Sequence, residues 1–382
     1  MSQTYLDNSA TTRVCGAAAD AAYRLMTEVY GNPSSLHSLG FRAEQELTAA
    51  RRQVATLIGA EEGEITFTSG GTEANNLALF GAVAAHPHDG RHIVTTAVEH
   101  ASVAACIDAL EKDGYAVTRL IPDENGVLTA DAIASACRPD TVLVAVMLVN
   151  NEIGSRFPIE QAVPAIRRVA PKAHIHCDAV QAAGKLPIRA DRWGIDSMAV
   201  SAHKIHGPKG VGALYLRRGA RILPRQLGGK QEESLRPGTE AAPLIAAFGA
   251  AIGALPPVPK QMAHYDALRR HLISRLEGNP AVRFHLPTGG VPYIIHLSVP
   301  GYKSETLLHF LAQKEIYVSS GSACSKGAKS PVLMAMGLPA DEVDSALRVS
   351  LCRDNTVEDM DRFVDGLLEA MEKLARKDRS YV

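Results

Sequence analysis

The sequence predicts an α/β fold: a mostly parallel sheet sandwiched by helices, followed by a smaller C-terminal α/β domain. Three observations predict it. Between residues 64 and 179 short strand-like runs alternate with helix-like segments, the rhythm of successive βαβ units. Val142-Leu-Val-Ala-Val-Met-Leu-Val149 is a continuous apolar run, as in a strand buried on both faces. Ala254-Leu-Pro-Pro-Val-Pro259 then breaks the pattern and marks a hinge between a large domain, 16–253, and a small one, 254–382. Residues 1–15 are expected to pack with the small domain.

In chain order, Tyr5–Thr12 reads as a short strand running into a polar turn, and Gly31–Ser35 as a second turn. From Ser38 to Ile58 apolar Leu47, Val54, Leu57 and Ile58 recur at helical spacing, and Gly59 stops the helix. Strand and helix then alternate: 64–68 with 73–84, 93–97 with 101–112, 117–121 with 129–137. Helix 159–169 and strand 174–179 follow the run 142–149, and apolar runs 195–200 and 211–216 flank a Gly-rich turn. Past the hinge come helix 262–276, strand 293–299, helix 304–313, and strands 316–319 and 347–351. Thr356 caps a final amphipathic helix that runs to about Ala375.

Composition excludes several functions. With 40 basic and 41 acidic side chains the net charge is −1, which gives no electrostatic footprint for direct nucleic-acid binding. No apolar run reaches bilayer-spanning length, and Met1–Asn8 lacks the basic and apolar regions of a signal peptide. A cytoplasmic protein without membrane contact is therefore expected. The six cysteines, at 15, 106, 137, 177, 324 and 352, contain no CxxC pair. That speaks against a zinc knuckle or a disulfide frame and suits a reducing compartment; no metal site is expected.

The stretches that carry chemistry sit at predicted strand ends. Lys204 lies in Ser201-Ala-His-Lys-Ile-His-Gly-Pro-Lys-Gly-Val-Gly212, a turn between two apolar runs. A lysine desolvated there gains nucleophilicity toward an aldehyde; otherwise it is a surface lysine in a Gly-rich loop. Thr68-Ser-Gly-Gly-Thr-Glu-Ala-Asn75 joins a strand to a helix, so its backbone N–H groups and helix dipole suit a phosphate, or make a plain βα turn. His100 follows a strand end, where an imidazole can stack on a planar ring, move protons or serve only structure. Val149-Asn-Asn-Glu-Ile-Gly154 puts two amides at the end of the most apolar strand. Asp178 ends the run His176-Cys-Asp, where a carboxylate can pair with a pyridinium nitrogen or cap a helix. The separation of Asp178 and Lys204 spans one strand–loop–strand excursion, so both can reach one ring from adjacent strand ends.

Taken together, YLDNSATT (5–12), GNPSSLH (31–37), TFTSGGTEANN (66–76), NNEIG (150–154), HCDAVQ (176–181), SAHKIHGPKGVGALY (201–215), RPGT (236–239) and SSGSAC (319–324) run through nearly the whole chain. In this order they resemble the NifS/IscS type of cysteine desulfurase, in the class V family of fold-type I pyridoxal-phosphate enzymes. The resemblance implies that Lys204 carries pyridoxal 5'-phosphate as a Schiff base, that Asp178 pairs with the ring nitrogen and that His100 stacks on the ring. It implies that Asn151 and Gln181 bond the 3-oxygen, and that Gly71, Thr72, Ser201 and His203 hold the phosphate. Thr239 would reach the phosphate of the other subunit of a homodimer, and Arg348 would clamp the substrate carboxylate, with Asn151 also at the substrate. Cys324, in a polar loop, would take the sulfur of L-cysteine as a persulfide, while His100 handles the thiol proton and L-alanine leaves. The other five cysteines stand in helix-like or strand-like contexts, where a buried inert thiol is expected.

Two departures stand out: Cys177 and Cys352 replace the Val and Gly expected of the family. The chain also ends at Arg379-Ser-Tyr-Val382, without the extended tail of scaffold-serving relatives. The sulfur acceptor is therefore either an iron–sulfur scaffold or a tRNA-thiolation enzyme. A selenocysteine lyase or another class V aminotransferase would use the same ring site; Cys324 in its polar loop argues against an aminotransferase. A catalytically idle scaffold protein would be expected to lack Lys204 or Asp178, and this chain has both.

Overall fold

The computed structural model describes residues 3–320 and 330–376. In chain order its strands are β1 (Thr4–Tyr5), β2 (Ile65–Thr68), β3 (His92–Thr96), β4 (Ala116–Leu120), β5 (Thr141–Ala145), β6 (His174–Asp178), β7 (Ser197–Ser201), β8 (Gly212–Leu216), β9 (Arg283–Phe284), β10 (Ile294–Ser298), β11 (Ile316–Tyr317) and β12 (Ala346–Ser350). Its helices are α1 (Gly16–Thr27), α2 (Ser38–Ile58), α3 (Gly71–Ala85), α4 (Ala101–Lys112), α5 (Ala130–Ser135), α6 (Ile159–Val169), α7 (Ala190–Trp193), α8 (Ala242–Gly253), α9 (Val258–Leu276), α10 (Ser304–Gln313), α11 (Pro331–Ala335), α12 (Ala340–Asp344) and α13 (Val357–Lys373).

The large sheet has the order β2-β8-β7-β6-β5-β3-β4, and only β8 runs against the other six strands. Strands β3, β5, β6 and β7 are buried along their whole length, as in a sheet covered on both faces. Their carboxyl ends share one edge, the place where open α/β sheets hold ligands. A second sheet, β12-β10-β9, is antiparallel. The N-terminal strand β1 pairs in parallel with β11, and Asn8 Nδ2 and the Ser9 backbone N–H both bond Ser350 of β12.

Two expectations are corrected. The β5 ladder stops at Ala145; beyond it Val146 and Leu148 donate to the carbonyls of His176 and Asp178, so the apolar run continues as extended chain alongside β6. The hinge at 254–259 shrinks to the four residues between α8 and α9, because Pro259 falls in the first turn of α9, where a missing N–H costs nothing. Lys204 lies in the turn between β7 and β8, as expected, at the end of a single tight helical turn, Ala202–Lys204. Gly59 terminates α2 with φ of +66°, and Thr356 and Asp359 form a capping box on α13.

Candidate functional site

Four strand ends assemble the site. Beyond β3 the chain reaches His100, which caps α4 by accepting the Ser102 N–H at Nδ1, 3.2 Å away. Beyond β5 come Asn150 and Asn151. Strand β6 ends in Asp178, and the turn after β7 carries Lys204; the two strands are neighbours, with Asp178 opposite Ala199. Asp178 is 5% exposed. Its Oδ2 accepts from Asn75 Nδ2 at 2.8 Å and its Oδ1 from the Val180 N–H at 3.0 Å. Lys204 Nζ donates to the carbonyls of Ala10, at 2.8 Å, and Ser9. Gln181 Nε2 donates to the same Ser9 carbonyl at 2.9 Å. Arg348, buried on β12, donates to the Asn151 carbonyl at 2.9 Å and pairs with Asp7 at 2.7 Å. Residues 7–10 thus touch Arg348, Gln181 and Lys204 in turn.

Beside Lys204 lies a corner suited to a phosphate. Gly70 and Gly71 open α3, and Ser201 faces them. A Cβ on Gly71 would meet Val180 Cγ2 at 2.7 Å, so only glycine leaves this corner open. The Ser201 hydroxyl is buried and has no hydrogen-bond partner among the described residues. Thr72 is exposed in the first turn of α3. Burial, then the positive charge of Lys204, pushes His203 down to about 4, and its Nδ1 lies 3.3 Å from Thr11 Oγ1. Thr239 is exposed, and no hydrogen bond among the described residues joins it to this group. Cys324 lies outside the described residues. The flanks of its segment do not: Ser319 pairs with the Arg348 backbone, and Ser330 Oγ donates to buried Glu152 at 2.5 Å.

The chain matches the family Aminotransferase class-V over residues 4–363. It belongs to the class-V aminotransferase family. This class-V member is 42% identical to "Cysteine desulfurase 2" of Trichormus variabilis over 380 residues, 98% of this chain and 94% of the relative. Among solved structures it is similar to a NifS-like protein, with a TM-score of 0.92 and 34% identity over 98% of this chain and all of the other. It is also similar to SspA in complex with cysteine, with a TM-score of 0.81 and 30% identity over 91% of this chain and 98% of that one. Its fold is the fold-type I architecture of these NifS-like relatives.

Sequence reasoning missed four residues of this class-V site. Asn75 lies at the centre of the buried polar contacts around Asp178, but its partners come from β6 and α4, distant in sequence, and leave no local trace. Asp7 orients Arg348, and Ser102 touches His100. Lys185 follows β6, buried, with Nζ 4.9 Å from the Tyr293 ring centroid; burial pushes it down to about 7. A lysine in the apolar stretch Ala182-Ala-Gly-Lys-Leu was the available signal. Four of the remaining thiols are buried as expected, and Cys15 is half-buried. Burial pushes Cys106, Cys137 and Cys352 up to about 11 and Cys177 well above its ordinary value.

Proposed function

We propose that this chain is a cysteine desulfurase that uses pyridoxal 5'-phosphate and passes the sulfur of L-cysteine to Cys324. The observation that carries the reading is the N-terminal segment 7–10, which holds an amine-bearing side chain and a carboxylate-binding one side by side. Ser9 and Ala10 hold Lys204, and Asp7 holds Arg348. Arg348 fits the carboxylate of an amino acid, and Lys204 is the amine that would act at the carbon beside it.

The residues present suit the cofactor. Ser201 offers a buried hydroxyl to the phosphate, joined by the N–H groups that open α3. Asp178 is a buried acceptor for a ring N–H. When bound, the cofactor supplies a carbonyl for the substrate amine and a ring that draws electrons from Cα and Cβ. Arg348 orients the substrate carboxylate by a charge-assisted pair. Lys204 Nζ is the base that removes the Cα proton. The thiolate of Cys324 attacks the substrate sulfur; the new S–S bond forms as the Cβ–S bond breaks, leaving a persulfide and, after proton return, alanine. Support for Cys324 comes from its flanks at Arg348 and Glu152, and from the inert setting of Cys106, Cys137, Cys177 and Cys352. The acceptor is a scaffold or tRNA-thiolation protein, the assembly a homodimer and the compartment cytoplasmic on this reading.

The test is the purified chain loaded with pyridoxal phosphate and given L-cysteine. Alanine should form, and mass spectrometry should find one added sulfur on the peptide that holds Cys324. Lys204→Ala should abolish turnover, and Cys324→Ser should bind cysteine yet transfer no sulfur. Sulfur found on Cys177 or Cys352 would overturn the assignment of the nucleophile.

A further inference from the structure

The buried amide of Asn75 stands between two functional groups that the sequence treats as independent. It is fully buried, and all of its polar atoms have partners. Its Nδ2 lies 2.8 Å from Asp178 Oδ2 and 2.8 Å from Ser102 Oγ; its Oδ1 lies 2.9 Å from His176 Nε2. His176 Nδ1 is 2.8 Å from Ser197 Oγ, which is 2.7 Å from His174 Nε2. On the other side Ser102 Oγ is 2.8 Å from His100 Nδ1.

The directions of these bonds follow from what each group can donate. The NH2 of Asn75 faces Asp178, whose other oxygen receives the Val180 N–H. The Asn75 carbonyl then faces His176, which has to donate from Nε2. Burial keeps His176 neutral, so its Nδ1 accepts the Ser197 hydroxyl proton, and that hydroxyl in turn accepts from His174 Nε2. On the second branch Asn75 gives its other N–H to Ser102 Oγ. The backbone N–H of Ser102 points at His100 Nδ1, and a nitrogen that accepts this N–H carries no proton of its own. Ser102 therefore donates its hydroxyl proton to His100, whose single proton lies on Nε2.

We propose that Asn75 is a positioning residue: its one amide donates to the Asp178 carboxyl and, by donating to Ser102 Oγ as well, commits the Ser102 hydroxyl proton to His100 Nδ1, where it acts with the Ser102 backbone N–H to hold the Nε2–H tautomer. A neutral imidazole fixed in this way meets a ligand as a hydrogen-bond donor. On the desulfurase reading, on which this consequence rests, His100 presents its Nε2–H to the substrate sulfur and does not take the thiol proton, which stays on that sulfur as it passes to Cys324. That differs from the role the family resemblance implies for it.

Histidine labelled with 15N in the full chain, read by long-range proton–nitrogen correlation with and without pyridoxal phosphate, tests the tautomers directly. His100→Gln and His176→Gln assign the signals. In the native chain both rings should show a protonated Nε2 and a bare Nδ1. Asn75→Asp keeps the acceptor for His176 and removes both donors. The Ser102 hydroxyl then turns to the new carboxylate and leaves only the Ser102 backbone N–H on Nδ1, so His100 should show a share of the Nδ1–H form while His176 stays unchanged. The same variant should raise the Kd for pyridoxal phosphate tenfold or more, because Asp178 loses its donor. Ser102→Ala cuts only the His100 branch and should give mixed His100 tautomers with His176 unchanged; it decides the matter if Asn75→Asp does not fold. A protonated Nδ1 on His100 in the native chain, or a His100 signal that neither variant moves, would overturn the proposal. The tautomers are read without cofactor as well, so a chain that makes no alanine would sink the desulfurase reading and leave this one standing.

Discussion

At Ser201 the needs of the fold and of a ligand pull apart. Its hydroxyl is buried with no partner among the described residues, a state that costs about 1–3 kcal/mol. Ser201→Ala should leave the cofactor-free chain as stable as the native one, or more stable by about 1 kcal/mol. The same change should weaken pyridoxal phosphate binding roughly ten- to a hundred-fold, through loss of a hydrogen bond to a charged acceptor. Urea denaturation and a cofactor titration measure the two effects. Parallel losses in both would mean that Ser201 serves the fold and not the phosphate. Residues of this kind were legible in the sequence because each stands at or just beyond a strand end, as Lys204, Asp178 and Ser201 do. Asn75 was not, since its meaning comes from His176, Ser102 and Asp178, which only the assembled sheet and the first turns of α3 and α4 bring to it.

At the scale of elements, the strands that aim these groups depend on close approach and on buried polar ties. Gly212 begins β8, and a Cβ there would lie 2.6 Å from the Val200 carbonyl oxygen and 2.7 Å from Gly70 Cα. Because both obstacles are backbone, Gly212→Ala must shift β8 or the turn before α3. We expect a loss of about 1–3 kcal/mol and weaker cofactor binding; an unchanged denaturation midpoint would show that the sheet yields without strain. Glu99 ties the end of β3 to the chain beyond β5 by accepting from Thr96 Oγ1 at 2.8 Å and the Met147 N–H at 2.9 Å. Burial outweighs these bonds and pushes its carboxyl from 4.5 up to about 8. The folded chain thus keeps a proton that the unfolded chain has released between those two values. Stability must then fall as pH rises from about 4.5 to about 8 and level off above. Glu99→Gln should remove this fall, with a Tm above the native one at pH 9 and close to it at pH 5. A native-like decline in the variant would assign the pH dependence elsewhere. Two helices that were illegible, α1 and α8, share a cause: both are rich in alanine, which blurs helical apolar periodicity. They pack through Ala18, Ala247 and Ala251, where small side chains let two helices approach closely. The short β5 ladder was misread because an apolar run records burial and not pairing.

For the whole molecule, one hydrophobic core continues from the large sheet to the small one, with Ile175 and Val200 at one end and Leu347 and Phe363 at the other. The N-terminal segment crosses both, from β11 to Lys204. What a single chain leaves open is its outer face. Tyr23, Met26, Tyr30, Leu36 and Phe41 are all exposed, crowded into one stretch of α1, α2 and their connection. So much exposed apolar surface suits a partner, and a second copy of the chain is the occupant that the resemblance implies. Thr239 is exposed too, on a segment tied to α3 by the Arg236–Glu73 pair at 3.0 Å, and the resemblance implies that it serves a neighbouring chain. In an isologous dimer each site would receive the other chain's Thr239. Loss of that hydrogen bond should cost about 1.5–3 kcal/mol, or roughly ten- to a hundred-fold in cofactor affinity. A mixed dimer separates the two chains' contributions, with Lys204→Ala in one and Thr239→Ala in the other. Only the Thr239→Ala chain can then hold the cofactor covalently, and borohydride reduction marks that site alone. If Thr239 acts across the interface, this site borrows an intact threonine from its neighbour and should bind cofactor as the native dimer does. Affinity as weak as that of the Thr239→Ala homodimer would mean that the threonine serves its own chain or no site at all.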